Sequence, residues 1–145
     1  MEQTAPLEVG LVVDDLERMH SFYVDVLSFK EARRSDIPAA LSRAIRTARD
    51  GYTNVWLQAP GGEIVKLMKP AAAPVRNPAA TYSSDRTGFA YLTFYCKDLE
   101  GVLANARAAG AIVRSDDASR SGAIGVKLAF FEDPEGNVLE LVEPV

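Results

Sequence analysis

Two carboxylates, an amine and a phenol occupy matching positions in two repeated stretches of the chain, and together they form an acid–base set. They belong to Glu8, Lys66, Tyr91 and Glu140. A carboxylate can take a proton from the carbon next to a carbonyl group, and an ammonium or phenol group can stabilise the resulting enolate. Glu8 is the expected base. Epimerases, isomerases, lyases and cyclases use this chemistry, so a metal-free enzyme is one hypothesis.

The same four side chains make a poor set of metal ligands. Iron, zinc and nickel sites in proteins are built from imidazole, carboxylate or thiolate donors, usually at least three. Only Glu8 and Glu140 supply such donors, because a protonated tyrosine is a weak ligand and the ammonium group of Lys66 repels a cation. The sequence therefore predicts no metal and no other cofactor. An alternative is that the two glutamates and water hold magnesium or manganese weakly while Lys66 turns away.

A structural interpretation of the same residues is ion pairing. An unpaired buried charge is costly, so an inward-pointing Lys66 is expected to pair with Glu8, Glu140 or both. Such a bridge would join the two repeats with little net gain in stability.

Binding of an organic ligand is the remaining use of this region. Strand alternation places further side chains on the same sheet face. The predicted ligand-binding residues are Val12, Trp56, Met68, Tyr91, Thr93, Tyr95, Phe130 and Val142. A mostly apolar cavity with a few polar groups is typical of small-molecule sites. Trp56 and Phe130 hold matching positions in the two repeats and could stack on a ring, although core packing explains them equally well.

Two pairs of matching segments indicate the internal duplication that positions these residues. LEVGLVVDDLE matches AYLTFYCKDLE, and PGGEIVKLMKP matches PEGNVLELVEP, in the same order along the chain. Each copy predicts a strand, a helix that begins at an aspartate cap, and later strands closed by a hairpin containing proline and glycine. We therefore expect an α+β fold of two tandem βαβββ modules.

The predicted domain covers residues 1–145, with module one at about 5–70, an extended proline-containing linker at 71–87 and module two at 88–145. Module one has the longer segment between its helix and its last strand, and residues 35–50 are the expected insertion. Several arginines crowd this region and could meet an anionic substrate, although a solvated helix face explains them equally well. They are Arg33, Arg34, Arg43, Arg46 and Arg49.

Composition excludes several classes of function. The net charge is −4 with both signs interspersed, so no basic face is available for nucleic acid or anionic lipid. Cys96 and His20 are the only cysteine and the only histidine, which excludes internal disulfides and sites that need two imidazoles. We expect a buried, inert thiol and a solvated histidine. No signal pattern or membrane-spanning run is present, so we expect a cytoplasmic protein.

Two runs of the sequence, VGLVVDDLERMHSFYVDVLSF and FFEDPEGNVLELVEP, resemble the vicinal oxygen chelate superfamily. That superfamily contains glyoxalase I, extradiol dioxygenases, methylmalonyl-CoA epimerase, fosfomycin-modifying enzymes and bleomycin-resistance proteins. The resemblance implies paired modules whose curled sheets form an open sheet around a central cavity, and it implies a homodimer.

The resemblance also implies where a metal would be held. Members with a metal take ligands from the first and last strand of each module, which correspond to Glu8, Lys66, Tyr91 and Glu140 in this chain. The site is therefore degenerate, as in bleomycin-resistance proteins, which sequester a drug without a metal. The leading hypothesis is metal-independent binding of a small molecule, such as an aromatic metabolite or antibiotic. The second is the metal-free enzyme, a lyase or isomerase, and the third is a metal-dependent enzyme of the glyoxalase or dioxygenase type.

Overall fold

The computed structural model describes residues 2–78, 80–116 and 125–145. The chain divides into two compact units, Met1–Arg76 and Asn77–Val145. The boundary lies inside the segment predicted as a linker. Each unit contains one β-sheet with its own connecting helix, so the predicted α+β duplication is confirmed.

Unit 1 contains a four-stranded sheet in the order β1-β4-β3-β2. Strands β1 and β4 are parallel, and the β4–β3 and β3–β2 pairs are antiparallel. Its elements in chain order are β1 (Glu8–Val12), α1 (Leu16–Ser21) continued by a π-helical turn (Phe22–Val26), β2 (Lys30–Ile37), α2 (Ala39–Ala44), β3 (Tyr52–Gln58) and β4 (Ile64–Pro70).

Helix α1 begins where the sequence predicts a cap. The carboxylate of Asp15 accepts a hydrogen bond from the backbone N–H of Arg18 at 3.1 Å, which satisfies one free donor of the first turn. The helix and its π-helical turn bury Met19 and Tyr23, both 0% exposed, against the sheet. Tyr23 also meets Phe29 edge to face, with ring centroids 5.4 Å apart.

One face of the unit 1 sheet is buried under α1, which lies against β4. Val55, Leu57 and Leu67 are 0% exposed on this face. Neighbouring positions in β1 alternate between half-buried and exposed, as the strand pattern predicts. We call the opposite side, which carries Glu8, Trp56 and Lys66, the open face of unit 1.

The predicted insertion at residues 35–50 begins within strand β2 and not after it. The first three extend β2, and the short helix α2 follows them. Ser42 is fully buried in α2 and donates its hydroxyl to the backbone carbonyl of Ala39 at 3.1 Å. Because Arg33 and Arg34 belong to β2, the helix-face explanation is wrong for these two arginines.

Unit 2 contains a three-stranded sheet in the order β5-β7-β6. Its elements are a 3-10 turn (Ser83–Asp85), β5 (Leu92–Tyr95), α3 (Leu99–Ala108), β6 (Val126–Glu132) and β7 (Val138–Pro144). A single bridge from Val113 to Phe131 lies beside β6, where β2 would lie in unit 1. The fourth strand of the predicted module is thus reduced to one bridge within the described residues.

The start of α3 follows the predicted chemistry. Asp98 accepts from the backbone N–H of Gly101 at 2.9 Å, and Glu143 of β7 accepts from the backbone N–H of Leu99 at 2.8 Å. Gly110 follows the helix with a φ of 84°, the left-handed conformation that glycine adopts without strain. Cys96, which precedes the helix, is half-buried, and burial raises the pKa of its thiol.

The hairpin between β6 and β7 is organised by Asp133, which is 3% exposed. Its carboxylate accepts from the backbone N–H groups of Glu135 and Asn137 at 3.0 and 2.9 Å, and from the Asn137 side chain at 2.8 Å. The DPEGN run is therefore a structural turn. Among the described residues, no helix is both long and apolar enough to cross a membrane.

Candidate functional site

The predicted site residues occupy equivalent places in the two sheets. In unit 1, Lys66 of β4 is paired in register with Trp56 of β3. In unit 2, Glu140 of β7 is paired in register with Phe130 of β6. The inferred equivalence of Trp56 and Phe130 is therefore confirmed. Glu8, Trp56 and Lys66 belong to unit 1, and Tyr91, Phe130 and Glu140 belong to unit 2.

In unit 1, the Lys66 ammonium group lies 2.9 Å from the carboxylate of Glu8. The two side chains are 30% and 39% exposed, so the pair lies at the surface of the open face. The expected pairing of Lys66 with a glutamate is confirmed. The expectation that this bridge joins the two repeats is wrong for Glu8, because both residues belong to unit 1.

Trp56 lies between two cationic residues on the open face. The guanidinium group of Arg33 on β2 lies 4.5 Å from the centroid of the Trp56 ring, and Lys66 flanks the tryptophan on β4. Such a cation–π contact contributes about 0.5–1 kcal/mol at an exposed site. Trp56 is half-buried and part of a charged surface, so plain core packing does not describe its surroundings.

Sequence reasoning named Arg33 as a residue that could meet an anionic substrate, but it did not place Arg33 beside Trp56, because of a β-bulge. The register between β2 and β3 shifts between Glu31 and Arg33. Strict alternation from Lys30 would have placed Ala32 and Arg34 on the open face. The extra residue instead directs Arg33 there. No sequence signal in KEARRSDI marks this shift, since the strand lacks a hydrophobic alternation.

Val12 and Met68 form an apolar row beside Trp56, and both were predicted to bind ligand. Val12, Met68 and Asn54 are paired in register across β1, β4 and β3. Val12 is 54% exposed, whereas Asn54 is only 8% exposed. The Asn54 side-chain amide makes no hydrogen bond with any residue that the structure describes. Sequence reasoning missed Asn54 because a polar residue in a strand ordinarily indicates exposure.

A small cavity of about 190 Å³ opens next to Val12 and Met68. Its walls come from unit 1 alone. They are formed by Val12, Thr47, Ala48, Arg49, Asp50, Gly51, Met68, Pro70, Ala72 and Pro74. Most of these side chains are apolar, and the segment after α2 supplies one wall. The cavity is smaller than the roughly 300–1,000 Å³ of drug-sized sites, so it suits part of a ligand.

In unit 2, the equivalent face carries aromatic rings and a carboxylate. Tyr91 meets Phe130 edge to face, with ring centroids 5.1 Å apart. The hydroxyl group of Thr93 donates to the carboxylate of Glu140 at 2.6 Å. Tyr91 and Tyr95 are 46% and 76% exposed. The remaining predicted ligand-binding residue, Val142, is 8% exposed.

The donor set does not fit a divalent metal. Within the ranges that the structure describes, no three histidine, cysteine or acidic side chains cluster as ligands. Glu8 is already held by the Lys66 ammonium group, and Glu140 already accepts the Thr93 hydroxyl. The alternative with weak magnesium or manganese requires Lys66 to turn away, whereas its amine is directed at Glu8.

His20 lies away from the open face and is not the solvated residue that was expected. Its Nε2 atom is 2.9 Å from the carboxylate of Glu31, and its side chain is 22% exposed. Glu31 also accepts hydrogen bonds from Arg34. Arg34, and to a smaller extent His20, lowers the pKa of the Glu31 carboxyl. Arg34 reaches Glu17 of α1 as well. This network ties α1 to β2, so a structural role explains it.

Comparison with known proteins identifies the family that shares this architecture. The family model described as the Glyoxalase/Bleomycin resistance protein/Dioxygenase superfamily matches residues 5–141. Lactoylglutathione lyase GLX1 from Arabidopsis thaliana is 27% identical over 140 residues, which are 94% of this chain and 43% of that protein. The chain thus spans less than half the length of this curated relative.

Several solved structures share the fold at low sequence identity. A glyoxalase family protein from Bacillus cereus has a TM-score of 0.81 at 15% identity, covering 100% of this chain and 97% of that one. Glyoxalase I from Leishmania major, named as trypanothione-dependent, has a TM-score of 0.69 at 21% identity, with coverages of 97% and 87%. The fosfomycin resistance protein FosX from Listeria monocytogenes, complexed with Mn(II) and sulfate, has a TM-score of 0.63 at 12% identity, with coverages of 99% and 95%.

Proposed function

The chain belongs to the Glyoxalase/Bleomycin resistance protein/Dioxygenase superfamily, and from this premise we propose that it binds a small, partly aromatic molecule without using a metal. The observation that carries the proposal is the ion pair between Lys66 and Glu8 at 2.9 Å, next to the half-buried ring of Trp56. A cation already occupies the place where the resemblance implies a metal ligand.

The surroundings of the ion pair favour an organic ligand. Val12 and Met68 offer apolar surface next to the small cavity, and Trp56 offers the face of an indole ring. Burial of apolar area contributes about 25 cal/mol per Å², and a stacked aromatic pair adds about 0.5–1.5 kcal/mol. Unit 2 presents the exposed rings of Tyr91 and Tyr95 on its own sheet face. An aromatic metabolite or antibiotic has the size and chemistry that this surface accepts.

The similar proteins support the fold of this chain, but they do not support the same reaction in this chain. FosX from Listeria monocytogenes is a fosfomycin resistance protein whose structure is complexed with Mn(II). In this chain, two of the four positions implied for metal ligands are a lysine and a tyrosine. We therefore propose ligand sequestration in preference to a metal-dependent glyoxalase or dioxygenase reaction.

Substitution of Trp56 tests the proposal directly. Trp56→Leu should weaken binding of 2-naphthoate and 2-naphthamide at least about fivefold, because a stacking contribution of about 1 kcal/mol is lost. Affinity is measured by isothermal titration calorimetry. Tyr82→Leu is the matched control, since Tyr82 is 69% exposed and belongs to unit 2 outside the sheet. Absence of binding by both probes, or equal binding by the Trp56 variant, contradicts the proposal.

A second candidate function is a metal-free acid–base enzyme with Glu8 as base and Lys66 and Tyr91 as stabilising groups. The observation in its favour is that the Glu8 carboxylate and Lys66 ammonium remain 39% and 30% exposed, so a substrate can reach them. Exchange of α-protons in heavy water, followed by NMR on a panel of aromatic α-keto and α-hydroxy acids, detects such activity. Turnover that Glu8→Gln abolishes while ligand affinity is unchanged would replace sequestration as the main role.

The family resemblance also supports a homodimer, and we include it in the proposal. Analytical ultracentrifugation decides this point. A mass twice that of the 15.7 kDa chain is expected, and a monomer across the micromolar range contradicts it.

A further inference from the structure

The open face of unit 1 is positive although the chain as a whole is negative. Of the charged residues at open-face positions of β1 to β4, Lys30, Arg33 and Lys66 are cationic and Glu8 is anionic. The local excess of positive charge contrasts with the net charge of −4 for the whole chain. A surface with this excess attracts small anions.

Arg33 is the cation beside Trp56 that remains available for a ligand. Lys66 is neutralised by Glu8, whereas Arg33 has no carboxylate partner among the residues that the structure describes. Its guanidinium group lies over Trp56 at 4.5 Å. The contact with the ring uses none of the guanidinium N–H groups as hydrogen-bond donors to a carboxylate, and a guanidinium edge matches the two oxygens of a carboxylate.

Asn54 adds a second polar group to the same place. It lies two residues before Trp56 on β3, so the two side chains share the open face about 6.6 Å apart. The residue is 8% exposed, and its side-chain amide has no hydrogen-bond partner in the described part of the chain. Ser35 lies opposite Asn54 in register and brings a hydroxyl group to the same patch.

We infer that the open face of unit 1 selects planar aromatic or apolar carboxylic acids, with Arg33 binding the carboxylate, Asn54 and Ser35 donating to it, and Trp56 and Met68 contacting the ring. This inference rests on the proposed function and names the class of ligand for it. One guanidinium edge and one amide suit a flat group with a single charge. A phosphate, with more charge and tetrahedral oxygens, requires more cationic partners.

Three matched probes test the inference by calorimetry: 2-naphthoate, the neutral 2-naphthamide and 2-naphthyl phosphate. Wild-type protein should bind 2-naphthoate about tenfold more tightly than 2-naphthamide, because a hydrogen bond to a charged group is gained. High salt should reduce this preference, since the contact is partly exposed to solvent. Binding of 2-naphthyl phosphate more tightly than 2-naphthoate overturns the assignment to carboxylates.

Arg33→Gln should abolish the preference for 2-naphthoate while leaving the affinity for 2-naphthamide within about twofold of wild type. Arg107→Gln is the control, because it removes one positive charge from an exposed position in the last turn of α3. A preference that persists in Arg33→Gln, or that disappears equally in Arg107→Gln, overturns the inference.

Asn54→Leu provides a second variant with a separate readout. Because the Asn54 side chain makes no hydrogen bond with a described residue, the change breaks none, so the melting temperature should rise or stay the same while affinity for 2-naphthoate falls at least about threefold. A fall in stability together with unchanged affinity overturns the role of Asn54.

The outcomes also separate this inference from the proposed function. Equal affinity for 2-naphthoate and 2-naphthamide, both dependent on Trp56, overturns the ligand class and leaves aromatic binding intact. Failure of both probes to bind overturns the two together.

Discussion

The ammonium group of Lys66 and the carboxylate of Glu8 form a surface ion pair with little to contribute to folding. At 30% and 39% exposure, water and salt screen the attraction, and such pairs contribute about 0–1 kcal/mol. The pair instead sets the chemistry of the open face. In this pair, Lys66 neutralises the Glu8 carboxylate, which could otherwise bind a metal cation. The neighbouring side chains of Trp56 and Met68 remain available for an organic molecule.

Replacement of the lysine tests this weak structural role. Lys66→Met keeps the aliphatic stem and removes the charge, so the free energy of unfolding should change by less than about 1 kcal/mol. Urea denaturation followed by circular dichroism measures it, with Lys97→Met as the control at an exposed position in unit 2. A loss of about 3 kcal/mol or more indicates a structural bridge that holds the site closed.

At the scale of elements, β7 anchors the start of α3. Glu143 accepts the Leu99 backbone N–H at 2.8 Å and the Lys127 ammonium at 2.7 Å. The Lys127 hydrogen bond, followed by that from Leu99, lowers the pKa of Glu143. The same pair raises the pKa of Lys127. One carboxylate therefore links two strands and a helix terminus.

The direction of these shifts fixes a dependence on pH. A carboxyl whose pKa is lower in the folded state stabilises the fold fully above its unfolded value of about 4.3, and this contribution is lost as pH falls through the folded value. Glu143→Gln should therefore lower the melting temperature at pH 7, and its difference from wild type should shrink below about pH 4. Glu63→Gln, an exposed residue in the hairpin between β3 and β4, is the control. A constant difference down to pH 2.5 contradicts the assignment.

The elements also show which parts of the site were predictable from the sequence. Alternation in β1, β4 and β7 correctly placed Glu8, Lys66 and Glu140 on the side of each sheet that does not face its helix. The repeat correctly matched Trp56 with Phe130. These features depend on the two-residue period of a strand, which the sequence carries directly.

Features that depend on irregular or long-range structure were missed. The bulge that directs Arg33 to Trp56 leaves no mark in a charged strand. Asn54 is buried by its surroundings and not by its own hydrophobicity. The partner of His20, Glu31, lies on a different element, so helical spacing alone gave the wrong expectation of a solvated side chain.

At the scale of the whole molecule, the two duplicated units share a fold but carry different residues on their sheets. Unit 1 presents cations around an indole ring, and unit 2 presents tyrosine, phenylalanine and a hydrogen-bonded glutamate at the corresponding positions. Members of a superfamily keep the frame while residues on it change, so membership fixes the fold and not the reaction. This chain differs from a metal-binding set because Lys66 and Tyr91 occupy two of the four positions implied for metal ligands.

Metal independence is the central claim, and one titration tests it. The affinity of 2-naphthoate is measured for protein treated with excess chelator and then dialysed, and again after addition of manganese, nickel, zinc or iron(II). Equal affinity within about twofold in all samples is expected, because Lys66 already pairs with Glu8 and Glu140 accepts from Thr93. Binding that disappears with chelator and returns with one stoichiometric ion would contradict the account.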